Sequence, residues 1–161
     1  MRSEETAADG GVRIAPEKPT QVDVIAMIAA LDDLQRALYP AESNHLTPLD
    51  VLSSDQTVFL TARDPRGRLL GCGSALLHDG YGEIKRMFVS DDARGVGLGA
   101  RIVGALEAAL RERGIACARL ETGIYQPHAI RLYEKCGYTS RDPFGSYAPD
   151  PLSVFMEKRL G

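Results

Sequence analysis

The chain has 161 residues, of which 44% are hydrophobic and 25% charged, a composition typical of one globular domain with a sizeable core. Its net charge of −3 at pH 7 argues against the basic surface that a non-specific nucleic-acid binder needs. Residues 1–10 are polar and small, so we expect a disordered tail followed by a single domain over 11–161.

The hydropathy pattern gives no sign of a membrane protein. No run approaches the ~20 apolar residues of a membrane span, and the N-terminus lacks the apolar stretch of a signal peptide. The three cysteines are widely spaced, without a C-x-x-C pair, which argues against disulfides and zinc sites. The sequence therefore predicts a soluble, cytoplasmic protein with reduced thiols and without a membrane partner.

The histidines do not predict a metal site either. None of the three has a second ligand at helical or strand spacing. We interpret them as structural or surface residues, with His78 and His128 as candidates for the wall of a pocket. No bound metal is expected.

In the first half of the chain, apolar spacing predicts a strand near 11–16 and an amphipathic helix over 21–38 that ends before Pro40. Residues 40–54 form a predicted loop that allows one helical turn after Thr47. Three strands should follow, at 56–63, 68–78 and 82–89. Because short turns join these strands, they should form an antiparallel meander.

In the second half, helical spacing recurs from about 97 and stops at Gly114. Residues 116–123 follow this crossover helix and should lie parallel to 82–89. A helix is expected over 126–136, then closing strands at 137–140 and 152–158. The predicted fold is α/β (α+β), a mixed central sheet of about six to seven strands with helices on both faces.

The most informative segment is 94–100, where a strand gives way to a long helix through a loop with one arginine and alternate glycines. Glycines at 95, 97 and 99 permit positive φ and let an anion approach without meeting a Cβ atom. The N–H groups of the new helix would point at that anion, and the helix dipole adds to the attraction. Arg94 can place a charge-assisted fork on a phosphate oxygen. This turn is predicted to bind a pyrophosphate.

Other interpretations of the turn fit less well. A Walker A loop needs Gly-Lys-Ser/Thr, and no lysine follows these glycines. A Rossmann fingerprint needs G-x-G-x-x-G after an apolar strand, whereas here the spacing is G-x-G-x-G and the strand carries Glu83, Lys85 and Arg86. The glycines can also serve only to tighten the turn, but three in five residues exceed that need.

The Arg-Gly-x-Gly-x-Gly pattern after an amphipathic strand resembles the acetyl-coenzyme A signature of the GNAT superfamily of N-acetyltransferases. A second segment, AIRLYEKCGY at 129–138, is similar to the later helix motif of that superfamily, Leu-Tyr-Glu-x-x-Gly-Phe/Tyr. The two motifs span about 82–138, and the tail of the chain looks like that of small bacterial members. The resemblance implies the GNAT fold and acetyl-CoA as co-substrate.

The resemblance also implies the residues that bind the coenzyme. The backbone of Met87, Phe88 and Val89 should pair with the pantetheine arm like an added strand, in a slot opened by a splay from 116–123. An N–H group near Phe88 would polarise the thioester oxygen. Gln126 stands where the superfamily often has an Asn that contacts the arm. The expected pyrophosphate contacts are Arg94, Gly95, Val96, Gly97, Leu98, Gly99 and Ala100.

Two catalytic residues are expected. Tyr133 occupies the Tyr position of the Leu-Tyr-Glu motif and should contact the coenzyme and protonate the leaving thiolate; the alternative is a core tyrosine. Glu83 is the predicted base, directly or through a water, since Glu-Ile-x-x-x-x-Val is similar to the base-bearing strand of histone-acetylating members. The alternative is a solvated side chain paired with Lys85 or Arg86.

The expected function is that of an acyltransferase of EC class 2.3.1. It would move an acetyl group from acetyl-CoA to the primary amine of a small molecule by direct attack on the thioester. The alternatives are acetylation of a protein or peptide amine and a non-catalytic CoA-binding module. A homodimer stays open because many superfamily members dimerise. Acceptor contacts by topology alone are Tyr81, Tyr125, Arg131 and Tyr147.

Overall fold

The computed structural model describes residues 11–161, so the predicted tail at 1–10 lies outside the described residues. The elements in this range are β1 (Arg13–Pro16), α1 (Val22–Leu38), α2 (Leu49–Leu52), β2 (Thr57–Arg63), β3 (Leu69–His78), β4 (Tyr81–Val89), α3 (Leu98–Glu112), β5 (Cys117–Gly123), α4 (Pro127–Lys135), β6 (Thr139–Arg141) and β7 (Ser153–Arg159). Every predicted strand and helix is confirmed, with its ends shifted by a residue or two. None of the helices in this range is long and apolar enough to cross a membrane.

The described strands form one seven-stranded sheet in the order β1-β2-β3-β4-β5-β7-β6. Neighbouring strands are antiparallel except β4 and β5, which are parallel because α3 carries the chain back across the sheet between them. The meander of β2, β3 and β4 and the parallel β5 are as predicted. The mixed sheet of six to seven strands is therefore confirmed.

Helices cover both faces of the sheet, again as predicted. On one face, α3 buries Leu98, Ile102, Leu106 and Leu110 against the sheet. The helix and the sheet approach each other so closely that a Cβ atom on Gly82 would lie 2.4 Å from Leu110. On the other face, α1 and α2 bury a smaller cluster against the alternate side chains of the same strands.

The sheet opens between its two central strands. Pairing of β4 with β5 is limited to three positions, Gly82–Ala118, Glu83–Arg119 and Ile84–Leu120. Beyond these positions β4 remains paired with β3, and β5 remains paired with β7. Within the described chain, a V-shaped slot therefore separates 85–89 from 121–123. A bulge lies beside the slot, where the register between β3 and β4 shifts and Arg86 takes a left-handed φ of 56°. Positive φ at a non-glycine residue is uncommon and marks local strain.

Candidate active site

The V-shaped slot forms a cavity in which four predicted site residues meet. Glu83 and Met87 lie on its β4 side, Gln126 is at the N-cap of α4 and Tyr133 lies in the last turn of that helix. The wall also includes residues of β5 and of the end of α1, namely Glu121, Thr122, Gly123, Leu31, Asp32, Gln35 and Tyr39. The slot thus brings together four predicted residues that lie up to fifty positions apart in the sequence, because β4 and α4 flank the same opening.

The predicted phosphate-binding turn lies at the N-terminus of α3. Gly95 and Gly97 have φ values of 86° and 80°, and a Cβ atom on either would meet nothing within 4 Å. Within residues 11–161, none of the six backbone N–H groups from Gly95 to Ala100 donates a hydrogen bond, and no side chain caps the helix. The segment 95–97 is exposed. Unpaired donors at the positive end of a 15-residue helix are suited to hold an anion.

Two residues of the turn have contacts that the sequence pattern did not indicate. The Nε atom of Arg94 donates to the carbonyl of Val89 at 3.0 Å, and its Nη1 atom lies 3.2 Å from Asp91. The guanidinium expected on phosphate therefore contacts its own turn in this structure, with 54% of the side chain exposed. At Gly99, a Cβ atom would lie 3.1 Å from Leu132, so the glycine allows α3 and α4 to approach each other. This packing is a reason for a glycine at that position beside the predicted anion contact.

The predicted arm-binding segment, Met87–Val89, is paired on one side only. Phe88 and Val89 face Cys72 and Gly71 across the antiparallel ladder with β3. On the slot side no strand of the described chain covers them, since β5 has already diverged. Backbone groups at such an edge can pair with an extended ligand.

Glu83 is buried, with 4% of its surface exposed, and three side chains contact its carboxylate. His78 Nε2 lies 2.9 Å from Oε1, while the Tyr147 hydroxyl donates to Oε2 at 2.5 Å and Lys85 Nζ lies 3.4 Å from the same atom. The expected alternative of a solvated carboxylate is therefore wrong, although the pairing with Lys85 is present. Arg86 turns elsewhere, to the Thr47 carbonyl at 2.7 Å and to Asp32 at 3.2 Å.

A second cavity, of about 680 Å³, opens on the other side of Glu83. Its floor is one face of the sheet, because the cross-strand pairs Leu76–Glu83 and His78–Tyr81 point the same way. Its walls are the segments 45–48 and 145–148. The residues shared by this cavity and the slot are His45, Leu46, Glu83 and Lys85. Glu83 therefore stands at the junction of the two spaces.

Tyr133 is also buried, with 6% exposure, and it lines the slot. Its ring packs edge-on against Tyr138 at 5.9 Å, and its hydroxyl has no hydrogen-bond partner among the described residues. Burial, with a smaller contribution from Cys136, raises the pKa of Tyr133 above its ordinary value. The phenol is therefore held protonated beside the slot.

Gln126 lies at the start of α4, with its amide oxygen on the slot wall. That oxygen accepts a hydrogen bond from the Tyr39 hydroxyl at 3.2 Å, and the same hydroxyl accepts from the Tyr125 N–H at 3.1 Å. A Cβ atom on Gly123 would collide with this hydroxyl, so a glycine is required there. The Gln126 amide is thus oriented by the end of α1.

Several residues around Glu83 were not predicted as part of the site. Lys85 follows Glu83 by two positions, so the two side chains lie on the same face of β4. The alternation of side chains along a strand could have predicted this placement. Tyr147 comes from the irregular segment before β7 and was expected only as an acceptor contact. Burial and the adjacent Glu83 raise the pKa of its hydroxyl, so it acts as a hydrogen-bond donor to the carboxylate. His45, whose ring is 5.0 Å from that of Tyr147, has no sequence signal at all.

Comparison with known proteins agrees with this fold. Residues 26–138 match the acetyltransferase (GNAT) family. The chain is 48% identical over 151 residues to an IAA acetyltransferase of Azospirillum brasilense, covering 92% of this chain and 98% of that protein. A Klebsiella pneumoniae structure described as an acyl-CoA N-acyltransferase superposes with a TM-score of 0.79 at 42% identity, over 93% of this chain and 98% of the other.

A more distant structure shows the fold alone. The spermidine N-acetyltransferase of Vibrio cholerae, solved with CoA and spermine, has a TM-score of 0.66 at 13% identity and covers 92% of this chain and 95% of its own. The family match spans most of the chain, and both motifs singled out in the sequence lie within it or at its end. The chain therefore belongs to the GNAT family and is an acetyl-CoA-dependent N-acetyltransferase, as the two motifs predicted.

Proposed function

We propose that this enzyme transfers the acetyl group of acetyl-CoA to the primary amine of a small molecule, by direct attack of the amine on the thioester. The observation that carries this proposal is the position of Glu83, a buried carboxylate between the slot and the second cavity. An amine that enters from the cavity meets this carboxylate before it reaches the slot. The volume of the cavity falls within the ~300–1,000 Å³ of common small-ligand pockets.

The slot and the turn fit acetyl-CoA. The unpaired N–H groups of 95–100 would hold the pyrophosphate, and the free edge of Met87, Phe88 and Val89 would hold the pantetheine arm as an added strand. The oriented amide of Gln126 would contact the arm from the opposite wall. When bound, acetyl-CoA supplies an activated acyl group and a thiolate leaving group.

Glu83 would act as the base, directly or through one water molecule. It takes a proton from the acceptor ammonium, so that the amine reaches the thioester with a free electron pair. His78 contacts Oε1 of Glu83, and its side chain is 33% exposed. His78 therefore links the buried carboxylate to solvent, and the proton would leave through this contact.

Tyr133 would act as the acid. Its hydroxyl lies on the slot wall without a protein acceptor, so it is available to the sulfur of a bound thioester, and burial keeps it protonated. The thiolate would leave into the same water-poor slot, where burial raises its basicity as well. Tyr133 would give its proton to the sulfur as the carbon–sulfur bond breaks, and the second proton of the attacking nitrogen would replace it.

Replacing Tyr133 with Phe is expected to lower kcat by about 100-fold, the lower range for loss of a general acid, with little change in the KM for acetyl-CoA. Steady-state kinetics would measure both. Tyr138→Phe is the matched control, because that hydroxyl bonds to Glu107 away from the slot. Wild-type turnover in Tyr133→Phe would make Tyr133 a core residue only.

We infer a small acceptor rather than a peptide. This inference is supported by the volume of the second cavity, whose lining includes the contacting rings of His45 and Tyr147. A non-catalytic CoA-binding module would not need both Glu83 and Tyr133 on one slot. These two features support the proposed function over its alternatives.

The experiment that tests the proposal joins calorimetry with acetyl-CoA to a thiol-release assay over small primary amines and short peptides. We expect acetyl-CoA binding and thiol release with at least one class of small amine. Release with peptides alone would replace the proposal with peptide acetylation. Binding without release on any amine would indicate the CoA-binding module.

A further inference from the structure

We propose that the acceptor amine also carries a carboxylate, and that Lys85 recognises it. This inference rests on the proposed function, because it names the class of amine that enters the second cavity. It starts from an unexpected feature of the site, a lysine whose side chain is 11% exposed and lines both the slot and the cavity.

The position of Lys85 opposes the binding of a simple cationic amine. Its ammonium lies 3.4 Å from Oε2 of Glu83, a residue that lines the cavity. A primary amine arrives at neutral pH as an ammonium ion and must approach that same carboxylate. Two like charges at one carboxylate repel each other, and a partly buried pair is poorly screened by salt. A diamine or polyamine would meet this repulsion without any compensation.

The other contacts of Lys85 leave its charge available to the acceptor. They are the Tyr147 hydroxyl at 3.1 Å and the backbone carbonyl of His45 at 3.3 Å, both neutral. Glu83 is the only anionic residue among the described residues that line the cavity. When an acceptor ammonium binds to Glu83, the interaction between Glu83 and Lys85 becomes weaker. A buried charge needs such a partner, and a carboxylate on the acceptor supplies it.

The charges and walls of the cavity match this class of acceptor. The charged side chains that line it are Glu83 and Lys85, together with the titratable His45 and His78. A zwitterion would place its ammonium group on Glu83 and its carboxylate on Lys85. Glu121 faces His45 from β5, but it lines the slot and is held by Ser153 at 2.7 Å. Much of the wall is apolar, formed by Leu46, Pro48, Val51 and Leu76. The geometry therefore points to an amino acid with an apolar side chain.

The test compares matched acceptors: leucine, its carboxamide, and 3-methylbutylamine, which lacks the carboxyl group altogether. The wild-type kcat/KM should favour leucine over the carboxamide by about 10-fold or more, the range for a hydrogen bond to a charged group. Basicity cannot produce this preference, because the amide has the less basic amine and so the larger fraction of free amine.

Lys85→Met should bring the ratio of leucine to carboxamide close to one, and an unchanged circular-dichroism spectrum would show that the variant folds. Lys135→Met, an exposed lysine on α4, is the matched control and should keep the preference. A wild-type enzyme that acetylates the carboxamide or the plain amine as well as leucine overturns this inference and leaves the proposed function standing. If the preference for leucine persists in Lys85→Met, Lys85 is not the residue that recognises the carboxylate. If the enzyme acetylates no amine at all, both this inference and the proposed function are overturned.

Discussion

Replacing Gly97 with glutamate is expected to abolish acetyl-CoA binding. Gly97 begins α3 in the left-handed region, and a Cβ atom there meets open space within 4 Å. A glutamate side chain would therefore project into open space at the N-terminus of α3, next to the six unpaired N–H groups. Its carboxylate would repel a pyrophosphate, and like charges brought together at an interface cost several kcal/mol.

Calorimetry should show the dissociation constant for acetyl-CoA rising by at least about 100-fold in Gly97→Glu. Gly67→Glu is a matched control, because Gly67 has φ 87° and open space around it but lies in the turn between β2 and β3. Both variants carry the strain of a left-handed non-glycine residue, so their melting temperatures should fall alike. Unchanged affinity in Gly97→Glu would remove the turn from coenzyme binding.

Replacing Glu83 with glutamine is expected to lower kcat/KM for the acceptor by about 100- to 1,000-fold. Glutamine has nearly the same shape, so the cavity and the hydrogen bond from Tyr147 can persist while the base is lost. The defect should diminish as pH rises, because the amine then loses its proton without help. Kinetics across a pH series would measure this partial recovery.

Glu134→Gln is the control for the Glu83 variant, since Glu134 is an exposed carboxylate on α4 next to Tyr133 in sequence. It should leave the kinetics unchanged. Wild-type rates in Glu83→Gln at neutral pH would show that ordered water, rather than this carboxylate, takes the proton. The junction between slot and cavity would then serve binding alone.

The order and type of the elements could be predicted because each has a strong local signal. The helical spacing from about 97 to Gly114 and the short turns between β2, β3 and β4 are examples, and the crossover helix predicted that β5 is parallel to β4. The bulge at Arg86 has no such signal. A left-handed arginine is stabilised by the tertiary contacts of its side chain with Asp32 and Thr47, which no local pattern contains.

A site residue could be predicted where a sequence motif, or the alternation of side chains along a strand, determines its position. Glu83 and Tyr133 do line one slot, and Lys85 shares the face of Glu83 by strand alternation. Tyr147 and His45 come from irregular segments whose conformation depends on the whole fold. Arg94 shows another limit, since its charge predicted a phosphate contact, whereas nothing in the sequence indicated its contacts with the Val89 carbonyl and Asp91.

The most direct test of the phosphate-binding turn is an amide chemical-shift titration of the enzyme with coenzyme A. We expect the largest shifts at the N–H groups of Gly95 to Ala100, because these donors are unpaired in the structure and would gain phosphate acceptors. Coenzyme A that binds while these amides stay unmoved would contradict the assignment of the turn.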